Sequence, residues 1–272
     1  MQIEDLSNLA VEQMAIVSKS LGRYVIIDCY LPKNVTSPAG LSLLLINDGQ
    51  DLPDMGFGAM LNEMLKENEI MPLLCVGIHA GKDRKNEYGT AKVLDYEKRG
   101  AKANAYNEFI LDELLPFIHS HYGIEQFEKR GFAGFSLGAL SAVDMTWNNP
   151  DVFSIAGVFS GSLWWRTRGL DDGYDDDKHR IMHQQVRTGR YVPGLRFYFT
   201  TGSLDESADR NNNGVIDSID DTLDVIKELN KLGYDSDREV KYVNYEDGKH
   251  DVATWGRAMP GFLLWGWGER SL

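Results

Sequence analysis

The chain has 272 residues, 43% hydrophobic and 25% charged, with a formal net charge of −13. That is enough chain to bury a sizeable core in one large α/β domain or two small ones. The acidic balance argues against nucleic acid and against an anionic membrane as partners, and two cysteines are too few for a disulfide framework.

Read in chain order, the opening MQIEDLSNLA lacks the basic start and apolar stretch of a secretory leader. No apolar run reaches the roughly 18 residues of a transmembrane helix. Strand-like runs are predicted at Arg23–Leu31, Leu41–Ile46, Pro72–His79, Arg130–Phe135, Val152–Ser160, Leu195–Thr200 and Glu239–Tyr245. Helix-like runs fall at Gly58–Glu67, Ala105–His121, Leu137–Trp147, Asp220–Leu232 and Val252–Trp265, with a kink or short break expected at Pro116. Cys29 and Cys75 lie in two of the strand-like runs and read as buried free thiols. There is no internal repeat, low-complexity tract or linker, so residues 1–272 read as a single domain. Alternating strands and helices predict an α/β fold with a mostly parallel central sheet covered on both faces. Its functional site is expected at the C-terminal ends of the strands.

Gly134-Phe135-Ser136-Leu137-Gly138 matches G-x-S-x-G, between a short buried strand and a helix. This is the setting of a nucleophile elbow, a tight turn that lifts a serine into the open. A serine hydroxyl needs a base, and the base needs an orienting carboxylate. His179, His183 and His250 follow Ser136, and His250 stands after the last strand and before the last helix, where the base of such a fold belongs. His179 and His183 lack the glutamate of a zinc-protease helix and read as a solvated helix face. His79 precedes the serine and fits the order badly. For the acid, Asp205 follows the penultimate strand, with Glu206 and Asp209 as rivals. The oxyanion donors expected are the backbone N–H of Leu137, after the nucleophile, and that of Gln50, after Gly49.

These residues resemble the putative esterase family of α/β-hydrolases over nearly the whole chain. The likeness rests on Val17–Arg23 with Tyr30-Leu31-Pro32, Leu44–Gln50, Gly77-Ile78 followed by Arg84, Glu87 and Tyr88, Glu113–Ile118, the elbow, Ser160–Trp165 and Gly248-Lys249-His250. Ala139 departs from the pattern, where a second glycine is frequent. The resemblance implies an α/β-hydrolase fold, a triad of Ser136, Asp205 or Glu206, and His250, and Gln50 and Leu137 as oxyanion donors. Trp164 and Trp165, after a strand end, are candidates to wall the acyl or alcohol pocket or, equally, to pack in the core, with at least one expected at the site. Arg84, Glu87 and Tyr88 are also candidates to touch substrate, with an ion pair that holds their loop as the preferred reading.

A second pattern runs from Asp209 to Asp220, D-x-N-x-N-G-x-I-D-x-x-D. Its spacing is that of a calcium loop: oxygen ligands from Asp209, Asn211, Asn213, Asp217 and Asp220, the carbonyl of Val215, and Gly214 at the sharp turn. Aspartate at the twelfth position is shorter than the usual glutamate. The loop begins four residues after Asp205, so a structural calcium is expected to fix the segment carrying the acid. The acidic run Asp171–Asp177 lacks ligand spacing and reads as a solvated loop and helix N-terminus.

The reading is a serine hydrolase of small-molecule or carbohydrate-linked carboxylic esters, with calcium and no organic cofactor. Acyl transfer on the same triad and a non-catalytic calcium-dependent binding module are the alternatives. A homo-oligomer stays open. So does location, because the missing leader favours cytoplasm whereas a calcium loop favours the outside of the cell.

Overall fold

The computed structural model describes residues 6–33, 35, 40–236 and 238–268. Met1–Asp5, which open the stretch read for a leader, lie outside the described residues. In chain order the strands are β1 (Leu9–Ser18), β2 (Arg23–Pro32), β3 (Ser42–Asn47), β4 (Leu73–Ile78), β5 (Arg130–Phe135), β6 (Ile155–Phe159), β7 (Arg196–Leu204) and β8 (Val240–Lys249). The helices are α1 (Phe57–Lys66), α2 (Arg84–Glu87), α3 (Ala103–Glu108), α4 (Leu115–Tyr122), α5 (Leu137–Asn148), α6 (Asp176–His179), α7 (Ile181–Arg187), α8 (Asp217–Leu232) and α9 (Val252–Trp267).

The strands form one sheet in the order β1-β2-β4-β3-β5-β6-β7-β8. The β1–β2 and β2–β4 pairs are antiparallel, and every pair from β4 to β8 is parallel. This is the α/β architecture expected from the alternation of elements. β3 and β4 are buried at every position, which explains their unbroken apolar runs: parallel strands covered on both faces have no polar side. One core layer packs Tyr106, Phe109, Ile118, Leu140 and Val225 against the sheet, and the other packs Phe57, Leu61, Phe262 and Trp267. Cys29 and Cys75 fall in opposite layers, so they cannot pair although their strands are neighbours. Among the described residues no helix is long and apolar enough to cross a membrane.

β1 was not expected. It is an edge strand with Val11 and Val17 exposed and Glu12 and Gln13 among its residues, so it shows neither an apolar run nor clean alternation. The predicted break at Pro116 is instead a π-helical stretch, Phe109–Leu114, that joins α3 to α4. Proline supplies no N–H and crowds the preceding turn, and the widened turn ahead of it accommodates both. His183 is fully buried, not on a solvated face, and bonds through Nε2 to the Asp221 carbonyl at 2.8 Å.

Candidate active site

The C-terminal ends of β3, β5, β6, β7 and β8 gather the candidate residues. Ser136 sits between β5 and α5 at φ 54° and ψ −119°, a strained region that a non-glycine residue holds only when its surroundings impose it. The flanking glycines permit the tight turn that imposes it. A Cβ on Gly134 would lie 2.5 Å from the Gly138 carbonyl group, and one on Gly138 would lie 2.6 Å from Asp48 Oδ2. Strand and helix thus cross too closely for a side chain at Gly134, and the end of β3 with Asp48 approaches too closely for one at Gly138. Gly134→Ala is expected to destabilise the fold by about 1–3 kcal/mol through overpacking, read as a lower urea midpoint; an unchanged midpoint would show that the crossing can yield.

β7 and β8 both run further than their apolar runs suggest, so Asp205 and His250 directly follow strand ends. The two strands slip register between Gly202 and Leu204. A Cβ on Gly202 would stand 2.4 Å from the Gly248 carbonyl oxygen, so this glycine permits the close approach that puts Asp205 beside His250. His250 Nδ1 lies 3.9 Å from Asp205 Oδ1. That is beyond hydrogen-bond distance, so the two groups are neighbours without a direct bond. The Asp205 side chain is fully buried and accepts hydrogen bonds from Ser160 Oγ at 3.1 Å and the Gly202 N–H at 3.0 Å. Ser160 Oγ in turn accepts from Trp255 Nε1 at 3.1 Å. The Trp255 ring meets the His250 ring edge-on and stacks on Phe135.

Burial holds the His250 imidazole below its ordinary value; Asp205 opposes that shift and Arg84 adds to it. Burial raises the Asp205 carboxyl, against the hydrogen bonds from Gly202 and Ser160. Burial also raises Glu206, helped by Asp217, Asp221 and Asp205. Ser136, His250, Asp205 and Glu206 line one cavity of about 250 Å³ with Ser160, Gly161, Ser162, Trp164 and Ser218. Ser136 Oγ stands 3.5 Å from Ser162 Oγ. Of the paired tryptophans only Trp164 borders this cavity. Trp165 is a correction: it is 1% exposed and packs under the Gly89 and Gly100 backbone, so it belongs to the core.

Leu137 is the first residue of α5, where an N–H has no partner within the helix and the dipole favours negative charge. Gln50 lies in a one-turn 3-10 helix, Gly49–Asp51; its side-chain Oε1 accepts from the Ala80 N–H at 2.9 Å. Gly49 is not the left-handed residue of this turn. The left-handed residue is Asp48, at φ 58°, whereas a Cβ on Gly49 would collide with Gly77 in β4 at 2.3 Å. Asp48 takes a two-point contact from Arg84, Nε at 2.6 Å and Nη2 at 2.7 Å. With Asn47 Nδ2 on the Gly138 carbonyl at 2.8 Å, it ties the β3 loop to the elbow. Glu87 pairs with Arg23 and Tyr88 is buried, so the three residues after β4 are supports, as expected. His79 is paired with Asp28 at 2.6 Å and does not line the cavity.

Ser160, Ser162 and Trp255 had no role assigned from the sequence. Ser160 and Ser162 follow β6 within a segment that carries the family likeness, and that strand-end position was the available signal. Trp255 lies on α9 and meets the site only through the tertiary fold.

In the loop before α8, Asp209 accepts from the N–H groups of Asn213 and Gly214 at 3.1 and 2.9 Å. The side-chain amides of Asn211 and Asn213 both meet Asp220 Oδ2, at 3.0 and 2.8 Å. Asp209, Asn211 and Asn213 of the loop and Asp220 in the first turn of α8 thus form one hydrogen-bonded group, and each carries an oxygen, the donor type that calcium takes. Asp217 departs from the pattern: it opens α8 and is held by Arg210 at 2.9 Å from the backbone and 3.2 Å from the guanidinium. Among the described residues, no group of three or more His, Cys, Asp or Glu is placed to hold a metal.

The putative esterase family profile matches residues 18–265. An uncharacterized protein of Bacillus subtilis, YjcH, is 28% identical over 183 residues, 66% of this chain and 74% of that protein. The iron(III) salmochelin esterase of Escherichia coli is 28% identical over 236 residues, 85% of this chain, but the chain spans only 51% of that enzyme. The crystal structure of enterochelin esterase from Shigella flexneri superposes with a TM-score of 0.70 at 20% identity, over 94% of this chain and 58% of that one.

Proposed function

The chain belongs to the putative esterase family, and from that premise we propose that it hydrolyses carboxylic esters through Ser136, His250 and Asp205. Ser136 Oγ attacks the ester carbonyl carbon as its proton passes to His250, giving a tetrahedral oxyanion. The C–O bond to the alcohol then breaks and His250 returns the proton to the departing oxygen, leaving an acyl group on Ser136. Water repeats the sequence and frees the acid. Asp205 orients the imidazole and stabilises its charged form. The N–H groups of Leu137 and Gln50 are the oxyanion donors. The observation that carries this reading is the convergence of Ser136, Asp205 and His250 on one cavity, with Ser136 held in a strained backbone conformation. The names of the relatives bring siderophore esters forward beside simple acyl and carbohydrate-linked ones. The test is labelling with a fluorophosphonate followed by peptide mapping, alongside hydrolysis of p-nitrophenyl acetate. An adduct on the Ser136 peptide is expected. An unlabelled chain without hydrolysis would support the non-catalytic binding module instead.

Calcium is proposed as a structural ion of the Asp209–Asp220 loop, held by Asp209, Asn211, Asn213, the Val215 carbonyl and Asp220, with Asp217 committed to Arg210. When bound, it adds fixed positive charge to an acidic loop. The loop runs from Asp205 and Glu206 to Ser218, all on the cavity wall, so anything that orders it also orders the acid side of the site. Calcium at a hundredfold excess over its Kd is expected to stabilise the fold by about 2.7 kcal/mol, read as a Tm increase that EGTA reverses and Asp209→Ala abolishes. A Tm indifferent to both calcium and EGTA would exclude the ion.

A further inference from the structure

Both oxygens of the buried Asp205 carboxylate are held. Oδ2 accepts from the Gly202 N–H at 3.0 Å, and Oδ1 accepts from the Ser160 hydroxyl at 3.1 Å. Oδ1 is also the oxygen that lies 3.9 Å from His250 Nδ1. A carboxylate oxygen has two lone pairs, so it can accept from Ser160 and still take a second donor. Ser160 has one hydroxyl proton, and the Trp255 Nε1–H meets its Oγ at 3.1 Å. An indole N–H only donates and an ionised carboxylate only accepts. The direction of both bonds is therefore fixed, from Trp255 to Ser160 and from Ser160 to Asp205.

The backbone of Ser160 is as unusual as its bonding. It holds φ 45°, a region that glycine adopts freely and other residues rarely. Such strain persists where the surroundings impose it, and it gathers at functional sites. The Ser160 N–H donates to the Thr200 carbonyl at 2.9 Å, which ties the residue to β7, the strand that leads into Asp205. Trp255 is buried, with its ring edge-on to His250 at 5.2 Å and stacked on Phe135, the residue before Ser136, at 5.3 Å. One indole thus touches the base, the elbow and, through Ser160, the acid. Burial raises the Asp205 carboxyl, and the Ser160 hydroxyl is among the bonds that lower it again. We propose that Ser160 and Trp255 are positioning residues: the indole N–H aims the Ser160 hydroxyl, and that hydroxyl holds Asp205 Oδ1 toward His250. This rests on the serine-esterase reading above and adds two residues to its machinery.

The experiment is a double-mutant cycle on p-nitrophenyl acetate hydrolysis, with kcat and KM measured separately and with circular dichroism and Tm confirming each fold. Ser160→Ala is expected to lower kcat by roughly tenfold to a hundredfold, the scale of one hydrogen bond to a charged group, with KM little changed. Trp255→Phe keeps an aromatic ring beside His250 and removes the N–H, and its loss in kcat should be smaller. The double variant should match Ser160→Ala, because Trp255 acts through the hydroxyl, and Ser160→Ala should cost nothing more in an Asp205→Asn background. An unchanged kcat in either single variant overturns the inference. So do losses that multiply in the double variant, or a Ser160→Ala loss that survives in full in the Asp205→Asn background. If Ser160→Ala does not fold, Trp255→Phe in the wild-type and Asp205→Asn backgrounds decides by the same criterion. Wild type that hydrolyses no p-nitrophenyl acetate and takes no fluorophosphonate label removes the esterase reading itself, and the inference with it.

Discussion

Ser136→Ala is expected to lower kcat for p-nitrophenyl acetate by at least about 10³-fold, because Ser136 is the elbow residue that shares the cavity with His250. Ser162 Oγ is the nearest hydroxyl, 3.5 Å away, but it does not sit on the elbow and its side chain does not open α5. Alanine and serine meet the same backbone strain at φ 54°, so Tm should stay close to that of the parent. A mutant that keeps most of its turnover would remove Ser136 from the mechanism and move attention to Ser162 or to a water activated by His250. The alanine chain should also fail to take a fluorophosphonate label, a readout independent of substrate choice.

Asp205→Asn is expected to cost about 10³–10⁴-fold in kcat, since an asparagine cannot stabilise the imidazolium and favours the wrong tautomer. The pH profile separates Asp205 from Glu206. A general base works in its neutral form, so kcat/KM falls as pH drops through the His250 pKa. Burial holds that pKa below the ordinary 6.5, and Asp205 is the charge that opposes the shift first. Activity should therefore be full at neutral pH, with its acid limb below 6.5. Removing the Asp205 charge leaves Asp251 alone to oppose the desolvation and moves the residual limb to still lower pH. Glu206 is not among the charges that act on His250, so Glu206→Gln should leave the limb in place. Its kcat loss on neutral esters should be at least a hundredfold smaller than that of Asp205→Asn, on the scale of an acid that lacks a triad role. A limb that moves with Glu206→Gln and stays with Asp205→Asn would reverse the assignment.

Two kinds of feature were legible in the amino-acid order. Central strands such as Ser42–Asn47 and Leu73–Ile78 are apolar at nearly every position because both faces are covered, so they announce themselves locally. The elbow does so too: its two glycines answer a steric demand between residues four apart, Gly134 and Gly138. The order of serine, acid and histidine along the chain follows from the succession of strand ends, and it singled out His250 from six histidines. β1 escaped because an edge strand is only half buried and its Val17 faces solvent.

What only the tertiary structure decided were contacts between distant segments. Sequence could not choose between neighbouring acids, because the choice depends on which carboxylate the end of β7 turns inward. The Gly202–Gly248 approach brings Asp205 Oδ1 to 3.9 Å from His250 Nδ1, while both Asp205 and Glu206 border the cavity. It could not divide Trp164 from Trp165, adjacent residues of one type, one at the cavity and one in the core. It could not find Trp255, whose bond to Ser160 spans 95 residues. Nor could it tell that Arg210, an unassigned position inside the calcium pattern, would claim Asp217. Local sterics and burial are written in short stretches of sequence. Partners brought together by the packing of separate strand ends are not, and in this protein those partners place Asp205 near His250, divide Trp164 from Trp165 and tie Asp217 to Arg210.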